Sequence, residues 1–383
     1  MNSETFHPIL APRSVYIHVP FCRHRCGYCN FTLVAGRDYL IERFLNALEK
    51  EIGWLDQTYE LDTLFLGGGT PTHLSPPQLD RLGDILRSRF VVTEHTEVTS
   101  ECNPNDLSIE RGRALQRIGV NRISLGVQSF DSQKLKRLER DHTKREVESA
   151  VSVARKIDAR ISLDLIFASP DESLLEWELD LEAAIDMAPE HLSTYELTYE
   201  KGTQFWNRLQ RGSLNEAHED LRAEMYLMAI KRLAANGYEQ YEVSSFSKSG
   251  HRCQHNLAYW TGDPYFAFGP GASRFVDGIR ETNHQSTMKY LKLMEGNISP
   301  VADREQLAPL PAAKERLAIG LRMADGLDGK QFAVRTGFTI ENILGELGNV
   351  LIENDLLLRN ANLWKLSQKG RLVCDGISTE ILK

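Results

Sequence analysis

The sequence predicts an α/β fold: a partial (β/α)6 barrel followed by a smaller, mainly helical, winged-helix-like C-terminal domain. Two observations carry this prediction. Between residues 15 and 197, short apolar or β-branched runs alternate six times with amphipathic stretches of helical period. Such alternation is typical of a parallel sheet with crossover helices. From residue 308 onward, helical patterns dominate instead, and a hairpin-like segment follows them.

The barrel prediction depends on six short runs and on the helical stretches between them. The predicted strands are Val15–Val19, Thr63–Leu66, Glu97–Glu101, Arg122–Val127, Ile161–Phe167 and His191–Leu197. The amphipathic stretches are Tyr39–Leu55, Ser75–Phe90, Thr143–Ile157 and Leu174–Met187. In barrels of parallel strands, functional residues gather at the carboxyl ends of the strands. We therefore expect the functional side chains to follow these runs directly.

The second half of the chain has a different pattern. Residues 205–237 are predicted to be mainly helical, Tyr238–Phe246 is predicted to be a strand, and residues 254–275 are aromatic and Gly-rich. The C-terminal elements are predicted at Ala312–Arg322, Asp328–Thr336 and Ile340–Asn354, followed by the hairpin Leu356–Leu366 and a last helix. We predict four parts: a lead-in at 1–15, the barrel at 16–200, a barrel extension at 201–300 and the C-terminal domain at 301–383.

Composition narrows the class of protein. The 383 residues are 42% hydrophobic and 26% charged, which is ordinary for a soluble globular protein. The net charge of -8 argues against a nucleic-acid partner. No stretch is apolar enough to span a bilayer, and Met1–Arg13 has no signal-peptide pattern. We expect a cytoplasmic protein, with peripheral membrane contact left open.

Three of the six cysteines lie together directly after the first predicted strand, in the spacing Cys22-x3-Cys26-x2-Cys29. A cubane iron–sulfur cluster is normally held by four thiolates, so three would leave one iron open to a small molecule. Zinc is the main competing metal, but its structural sites have four protein ligands. The spacing therefore favours a 4Fe–4S cluster over zinc.

Polar or glycine residues also follow the other strands. The second strand ends in Leu66-Gly67-Gly68-Gly69-Thr70-Pro71, and a glycine run lets backbone groups approach a ligand closely. Glu101, Gln128 and Asp164 lie at the ends of later strands or within them, and Arg140 lies in the helical segment after Gln128. Taken alone, a buried Glu101 or Asp164 is more often part of an internal ion pair.

The segment Tyr16-Ile17-His18-Val19-Pro20-Phe21-Cys22, followed by Cys26 and Tyr28-Cys29, resembles the radical SAM superfamily. Within it, the chain looks like the branch that contains oxygen-independent coproporphyrinogen III oxidase and the HemW-type haem chaperones. The resemblance implies a radical SAM barrel, a 4Fe–4S cluster on Cys22, Cys26 and Cys29, an electron donor, and S-adenosylmethionine (SAM) on the open iron. It implies contacts to SAM from Tyr16, Gly68, Gly69, Thr70, Glu101, Gln128, Arg140 and Asp164.

Within this branch, three features are similar to the chaperone group. The cluster motif begins at Tyr16 with little before it, Phe31 stands where the oxidase has a further cysteine, and His255-Asn256-Leu257-Ala258-Tyr259-Trp260 matches the HNxxYW pattern. The resemblance implies that haem is bound as cargo and passed to an acceptor protein. His255 is a candidate haem ligand and Cys253 a weaker one. The alternative for the motif is a set of core aromatic residues with a histidine that caps a turn.

Two other functions stay open at this point: radical decarboxylation of coproporphyrinogen III, and a regulatory protein that binds cluster and SAM without catalysis. Two departures from the family pattern are also visible. Phe167-Ala168-Ser169-Pro170 lacks the glycine of the family's usual turn after the fifth strand. Arg23-His24-Arg25 is unusually basic, and these charges would either attract an acidic electron donor or simply be solvated.

Overall fold

The structure of this chain is a computed structural model that describes residues 11–383. The predicted lead-in at 1–15 and the segment Met1–Arg13 therefore lie mostly outside the described residues. Twelve strands form one large sheet: β1 (Ser14–Val19), β2 (Thr63–Gly68), β3 (Glu97–Cys102), β4 (Arg122–Gln128), β5 (Arg160–Phe167), β6 (His191–Glu196), β7 (Glu239–Gln240), β8 (Ser245–Ser247), β9 (Tyr265–Phe268), β10 (Ser273–Val276), β11 (Ile279–Asn283) and β12 (Val301–Gln306).

The six predicted strands are confirmed as β1–β6. They pair in parallel in the order β1-β2-β3-β4-β5-β6, so all their carboxyl ends meet at one edge. The full order is β7-β8-β6-β5-β4-β3-β2-β1-β9-β10-β11-β12. Within residues 11–383, the edge strands β7 and β12 do not pair with each other, so the barrel is partial as predicted.

Sixteen α-helices are present in the described part of the chain. They are α1 (Ile41–Gly53), α2 (Pro76–Arg87), α3 (Ile109–Ile118), α4 (Ser132–Arg137), α5 (Lys144–Lys156), α6 (Leu174–Asp186), α7 (Gln204–Gln210), α8 (Glu219–Ala235), α9 (Gln254–Trp260), α10 (Thr287–Glu295), α11 (Pro309–Gly320), α12 (Gly329–Thr336), α13 (Ile340–Leu344), α14 (Glu346–Glu353), α15 (Gln368–Leu372) and α16 (Cys374–Leu382). Among these residues, no helix is both long and apolar enough to cross a membrane.

Local sequence explains where the crossover helices begin. Ser75, Thr143 and Ser173 each form a capping box with a Gln or Glu three residues later, which satisfies backbone N–H groups at the first turn. The inward residues of these helices and the buried residues of β1–β6 form one continuous apolar core. Burial of this apolar surface fixes the helices on the outside of the sheet.

Sequence patterns predicted only some of the strands that extend the sheet on its two sides. The predicted strand Tyr238–Phe246 is two short antiparallel strands, β7 and β8, and the segment 254–275 contains α9, β9 and part of β10. Strand β9 pairs in parallel with β1, and β10–β12 continue as an antiparallel meander. Because β12 belongs to this sheet, the extension reaches residue 306, six residues beyond the predicted boundary at 300.

The C-terminal domain has its own apolar core of buried residues from Ala313 to Ile381. Six helices, α11–α16, surround a three-stranded antiparallel sheet of β13 (Leu327–Asp328), β14 (Leu357–Asn360) and β15 (Leu363–Leu366), in the order β13-β15-β14. The predicted hairpin is confirmed as the β14–β15 pair. A mainly helical domain with one small sheet is the winged-helix-like arrangement that the sequence predicted.

Candidate cluster and ligand site

The three clustered cysteines lie on one loop at the carboxyl end of β1. Phe21–Cys22 pairs with Val34–Ala35, so the chain between these two short strands forms a closed loop that contains Cys26 and Cys29. Cys22 is buried and the other two are half-buried, and none forms a disulfide. Burial raises the pKa of Cys22 to about 11 and also raises that of Cys29. Burial therefore favours the neutral thiol at Cys22 and Cys29 until a metal binds.

Helix α7 covers one side of this loop. The Phe205 N–H donates to the Gly27 carbonyl oxygen at 2.9 Å, and the rings of Phe205 and Tyr28 meet edge to face. A Cβ atom on Gly27 would lie 2.5 Å from the Phe205 ring. Gly27 is therefore required for the approach of α7, and Tyr28 packs against Phe205 as part of a small apolar cluster.

The glycine run after β2 allows two chain segments to come together. Gly69 N–H donates to the Val19 carbonyl at 2.8 Å, and Thr70 N–H donates to the Phe21 carbonyl at 2.8 Å. A Cβ atom at Gly69 would lie 2.7 Å from the oxygen of Phe21. Real Cβ atoms essentially never approach a backbone oxygen so closely. Glycine is therefore needed for the GGG segment to lie directly against the cysteine loop.

A chain of side-chain contacts joins two of the cysteines across three strand ends. Cys22 Sγ lies 3.3 Å from the Thr70 hydroxyl, and Asn103 Nδ2 donates to the same hydroxyl at 2.9 Å. Arg140 donates through Nη2 to Asn103 Oδ1 at 2.6 Å and through Nη1 to Cys26 Sγ at 3.7 Å. Sequence reasoning missed Asn103, although a polar residue directly after β3 is the kind of position that the strand-end rule selects.

The accessible positions of β1–β6 are few. They are Tyr16, Phe65, Glu101, Gly126, Gln128, Arg160, Asp164, Tyr195 and Glu196. Four of the residues assigned to SAM binding are among them, namely Tyr16, Glu101, Gln128 and Asp164. The parallel sheet therefore brings these half-buried residues of distant sequence together, next to the cysteine loop and the glycine run.

Burial disfavours the ionised forms of two carboxylates in this group, Glu101 and Asp164. Glu101 accepts a hydrogen bond from the Gly68 N–H at 2.9 Å, and Asp164 accepts one from Ser124 Oγ at 2.9 Å. Burial, together with the neighbouring charge of Asp164, raises the pKa of Glu101 to about 7. Burial also raises the pKa of Asp164. A cationic ligand between them would relieve this cost by favouring the ionised forms.

Tyr16 and Gln128 complete the candidate set. The Tyr16 hydroxyl lies 3.1 Å from His18 Nδ1, and the Tyr16 ring stacks on Phe65. Gln128 ends β4 with a φ of 65°, next to an irregularity in the pairing of β4 with β5. A left-handed conformation is unfavourable for a residue with a side chain, so tertiary contacts must hold Gln128 there.

His255 lies in the core. Its Nδ1 is 2.8 Å from the Thr63 hydroxyl, its Nε2 is 2.8 Å from the Tyr259 hydroxyl, and the side chain is 1% exposed. Burial lowers its pKa to about 3, so the ring is neutral. Thr63 begins β2, so His255 sits at the amino end of the strands, opposite to the cysteine loop. Both ring nitrogens therefore have hydrogen-bond partners within the chain, which argues against the candidate role of His255 as a haem ligand.

Cys253 is also buried, and its thiol contacts Glu97 Oε1 at 3.6 Å. The motif from His255 to Trp260 forms α9, which closes the amino end of the barrel against Thr63 and Glu97. Within this motif His255 is buried, whereas Tyr259 and Trp260 are half-buried, so the geometry matches the alternative of core aromatic residues only in part.

The basic residues between the first two cysteines have partners within the chain. Arg23 Nη2 donates to the buried carboxylate of Asp106 at 3.1 Å. Arg25 donates to the carbonyl oxygens of Cys29 at 3.2 Å and Leu33 at 2.9 Å. Both arginines therefore help to hold the cysteine loop in shape. The sequence analysis interpreted these charges as attracting an electron donor or as solvated, and it did not predict these contacts within the chain.

The turn after β5 is held by a buried ion network. Lys134 donates to Glu172 Oε1 at 2.5 Å and to Asp180 Oδ2 at 2.9 Å, and all three side chains are almost completely buried. Asp180 also accepts from the Ser129 hydroxyl and from the Phe130 N–H. The network therefore ties the segment after Gln128 to the turn that contains Ala168.

The chain is similar to known families and to named relatives over nearly its whole length. A family model described as the radical SAM superfamily matches residues 16–184, and one described as the HemN C-terminal domain matches residues 307–373. The chain is 35% identical over 366 residues to the Heme chaperone HemW of Bacillus subtilis, covering 94% of this chain and 97% of that protein. The chain belongs to the HemW family. The HemW of Escherichia coli is 34% identical, over 96% of this chain and 97% of that protein.

The chain is also similar to a eukaryotic protein and to a solved structure. The mitochondrial Radical S-adenosyl methionine domain-containing protein 1 of Danio rerio is 31% identical, over 96% of this chain and 86% of that protein. Among solved structures, the E. coli coproporphyrinogen III oxidase HemN, described as a radical SAM enzyme, matches with a TM-score of 0.83 at 20% identity. That match covers 97% of this chain and 90% of that chain, and it confirms the predicted fold.

The donor set of this HemW family member suits an iron–sulfur cluster with an open iron. Three free cysteines lie on one loop, and the buried Nε of Arg140 next to them has no hydrogen-bond partner. Within residues 11–383, no three His, Cys, Asp or Glu side chains are arranged for a single metal ion. A cubane attaches its thiolates to different irons, so its ligands need not converge on one point. These residues therefore fit a cluster better than they fit zinc.

Proposed function

We propose that this protein is a haem chaperone, which binds haem and transfers it to an acceptor protein. The observation that carries the proposal is similarity over nearly the whole chain to relatives named heme chaperone HemW, at 34–35% identity. The likeness to coproporphyrinogen III oxidase is at 20% identity and indicates the fold alone. We further propose a cytoplasmic location and an electron donor as partner.

The proposal includes a 4Fe–4S cluster held by Cys22, Cys26 and Cys29, with SAM on the iron that lacks a protein ligand. Their closed loop, its cover by α7 and the absence of disulfides support this assignment. When bound, such a cluster supplies the electron that cleaves the carbon–sulfur bond of SAM. Burial of Cys22 would limit the access of water to one side of this position.

We assign SAM to the half-buried positions of the sheet beside the cysteine loop and the glycine run. The backbone of Gly68, Gly69 and Thr70 would accept the ligand's ammonium group, and Arg140 would hold its carboxylate through the unpaired Nε–H. The carboxylates of Glu101 and Asp164 suit the ribose hydroxyls and the positive sulfonium. Tyr16 and Gln128 would line the remainder of the SAM site.

Anaerobic reconstitution tests the cluster. The wild-type protein is expected to contain about four irons per chain and to have the brown colour of a cubane. Cys22→Ala, Cys26→Ala and Cys29→Ala are each expected to lose the cluster, whereas Cys102→Ala and Cys374→Ala, which change cysteines outside the loop, are expected to keep it. A Cys26→Ala variant with the wild-type cluster would contradict the assignment.

Two assays distinguish the chaperone from the oxidase. Titration of the purified protein with haem is expected to give a saturating absorption band, and transfer to an apo-haemoprotein is expected to follow. His255→Asn is expected to bind haem as the wild type does, because His255 is buried and fully hydrogen-bonded. Conversion of coproporphyrinogen III to protoporphyrinogen IX by the reconstituted protein would show that the oxidase assignment is correct instead.

A further inference from the structure

We propose that Asn103 is a positioning residue that directs one hydrogen-bond donor at Cys22 and another at Cys26. The residue lies directly after β3 and contacts neither cysteine itself. It acts through Thr70 on one side and Arg140 on the other. This proposal rests on the proposed cluster, which would bind both cysteines as thiolates.

The orientation of the Asn103 amide follows from its neighbours. Arg140 has only donor groups, so the atom of Asn103 that faces it must be the carbonyl oxygen Oδ1. The amide nitrogen Nδ2 must then face Thr70, to which it donates at 2.9 Å. A flipped amide would set donor against donor at Arg140 and acceptor against the hydroxyl oxygen at Thr70.

This orientation sets the direction of the hydrogen bonds in both arms, which run from Asn103 through Thr70 to Cys22 and from Asn103 through Arg140 to Cys26. A cysteine that ligates iron has lost its proton, so Cys22 Sγ only accepts in the contact of 3.3 Å with the Thr70 hydroxyl. That hydroxyl already accepts from Asn103, which leaves its hydrogen free to donate to the sulfur. Arg140 Nη1 donates to Cys26 Sγ at 3.7 Å, while Nη2 is held by Asn103 Oδ1 and by the Gly126 carbonyl. Each arm therefore ends in a donor at a sulfur.

Local structure gives no other reason for these side chains. Thr70 and Asn103 are each the N-cap of a short 3-10 helix, Pro71–His73 and Pro104–Asp106, and residues of both types usually cap through their side chains. Here neither side chain makes a capping hydrogen bond. Both side chains are used in the contacts toward the cysteines instead.

Hydrogen bonds to cluster sulfurs stabilise the reduced state, because that state carries one more negative charge. Loss of one such bond in Asn103→Ala is expected to lower the ratio of reduced to oxidised cluster at a fixed applied potential by about fivefold. The matched control is Asn105→Ala, since Asn105 has the same side chain two residues further on and bonds only to the exposed Asp141.

The experiment is a redox titration of the reconstituted full chain, followed by electron paramagnetic resonance without SAM. Asn103→Ala is expected to shift to a more negative potential, and Asn105→Ala to titrate as the wild type does. Thr70→Val is expected to shift in the same direction and Thr70→Ser to stay near the wild type. The double variant Asn103→Ala, Thr70→Val is expected to shift by less than the sum of the single shifts.

Equal potentials for Asn103→Ala, Asn105→Ala and the wild type, with the cluster intact, would overturn the proposal and leave the proposed function untouched. If Asn103→Ala does not assemble the cluster, the Thr70 pair decides: equal potentials of Thr70→Val and Thr70→Ser overturn the proposal, and a more negative Thr70→Val supports it. A wild-type chain that binds no cluster would overturn the proposed function, and this proposal with it.

Discussion

The buried network around Lys134 gives the sharpest prediction about stability. Lys134 is completely buried between Glu172 at 2.5 Å and Asp180 at 2.9 Å. Lys134→Met removes the positive charge and leaves two carboxylates without a counter-ion in the interior. Removal of one partner of a buried ion pair costs about 3–5 kcal/mol of the free energy of unfolding.

The retained hydrogen bonds place the expected loss at the lower end of this range. Asp180 keeps its bonds from the Ser129 hydroxyl and the Phe130 N–H, and Glu172 keeps its bond from the Ser169 N–H at 2.8 Å. We therefore expect a loss of about 3 kcal/mol. Burial already raises the pKa of Glu172, and removal of Lys134 raises it further. The loss is then expected to be smaller at pH 5 than at pH 8, because Glu172 takes up a proton as the pH falls.

Urea unfolding followed by Trp fluorescence measures this effect, since the buried Trp177 ring lies 5.2 Å from Lys134 Nζ. Lys136→Met is the matched control, because Lys136 is exposed on the same helix α4. Adding Glu172→Gln to Lys134→Met is expected to recover part of the stability. An unfolding free energy of Lys134→Met within about 0.5 kcal/mol of the Lys136→Met control would refute the reasoning.

Three more changes have expected outcomes. Ala168 has a φ of 59°, so Ala168→Gly is expected to raise the unfolding free energy by about 0.5–1 kcal/mol, whereas Ala154→Gly inside α5 should lower it. Gly69→Ala is expected to lower the unfolding free energy by about 1–3 kcal/mol and to impair cluster loading. Gly53→Ala is the control and should change neither, because its added Cβ atom would have no other atom within 4 Å. The pKa of Glu101 is raised from 4.5 to about 7 in the folded protein, so folding favours the protonated carboxyl. Protonated Glu101 therefore stabilises the apo-protein below pH 4.5, and this stabilisation is lost as the pH rises through 7. SAM affinity is expected to change oppositely, weakening as the pH falls below 7, and Glu101→Gln should remove both dependences.

The fold and the cysteine loop were predictable because their signals are local. The alternation of apolar runs and amphipathic stretches is a property of neighbouring residues, and it indicated β1–β6 and their parallel order. The spacing of Cys22, Cys26 and Cys29 is likewise local. The assignment of Glu101 and Asp164 to SAM came instead from the resemblance to the radical SAM superfamily, because a buried carboxylate taken alone is more often part of an internal ion pair.

Burial and hydrogen-bond partners were not predictable, because they depend on residues far apart in sequence. His255 belongs to a motif that suggested an exposed ligand, yet Thr63, which is 192 residues away, occupies one of its ring nitrogens. Ala168 marked a missing glycine in the sequence, but only the folded turn shows that the residue there has a positive φ. The edge strands β9–β12 are short, and their pairing rather than their sequence defines them.

The sequence by itself determined that this chain is a partial α/β barrel with three clustered cysteines at the end of its first strand. Only the tertiary structure decided what surrounds those cysteines. It placed Asn103 between Thr70 and Arg140, whose side chains then reach Cys22 and Cys26. The physical reason is that periodicity and spacing depend on adjacent residues, whereas the polarity of a site depends on which side chains the parallel strands bring together.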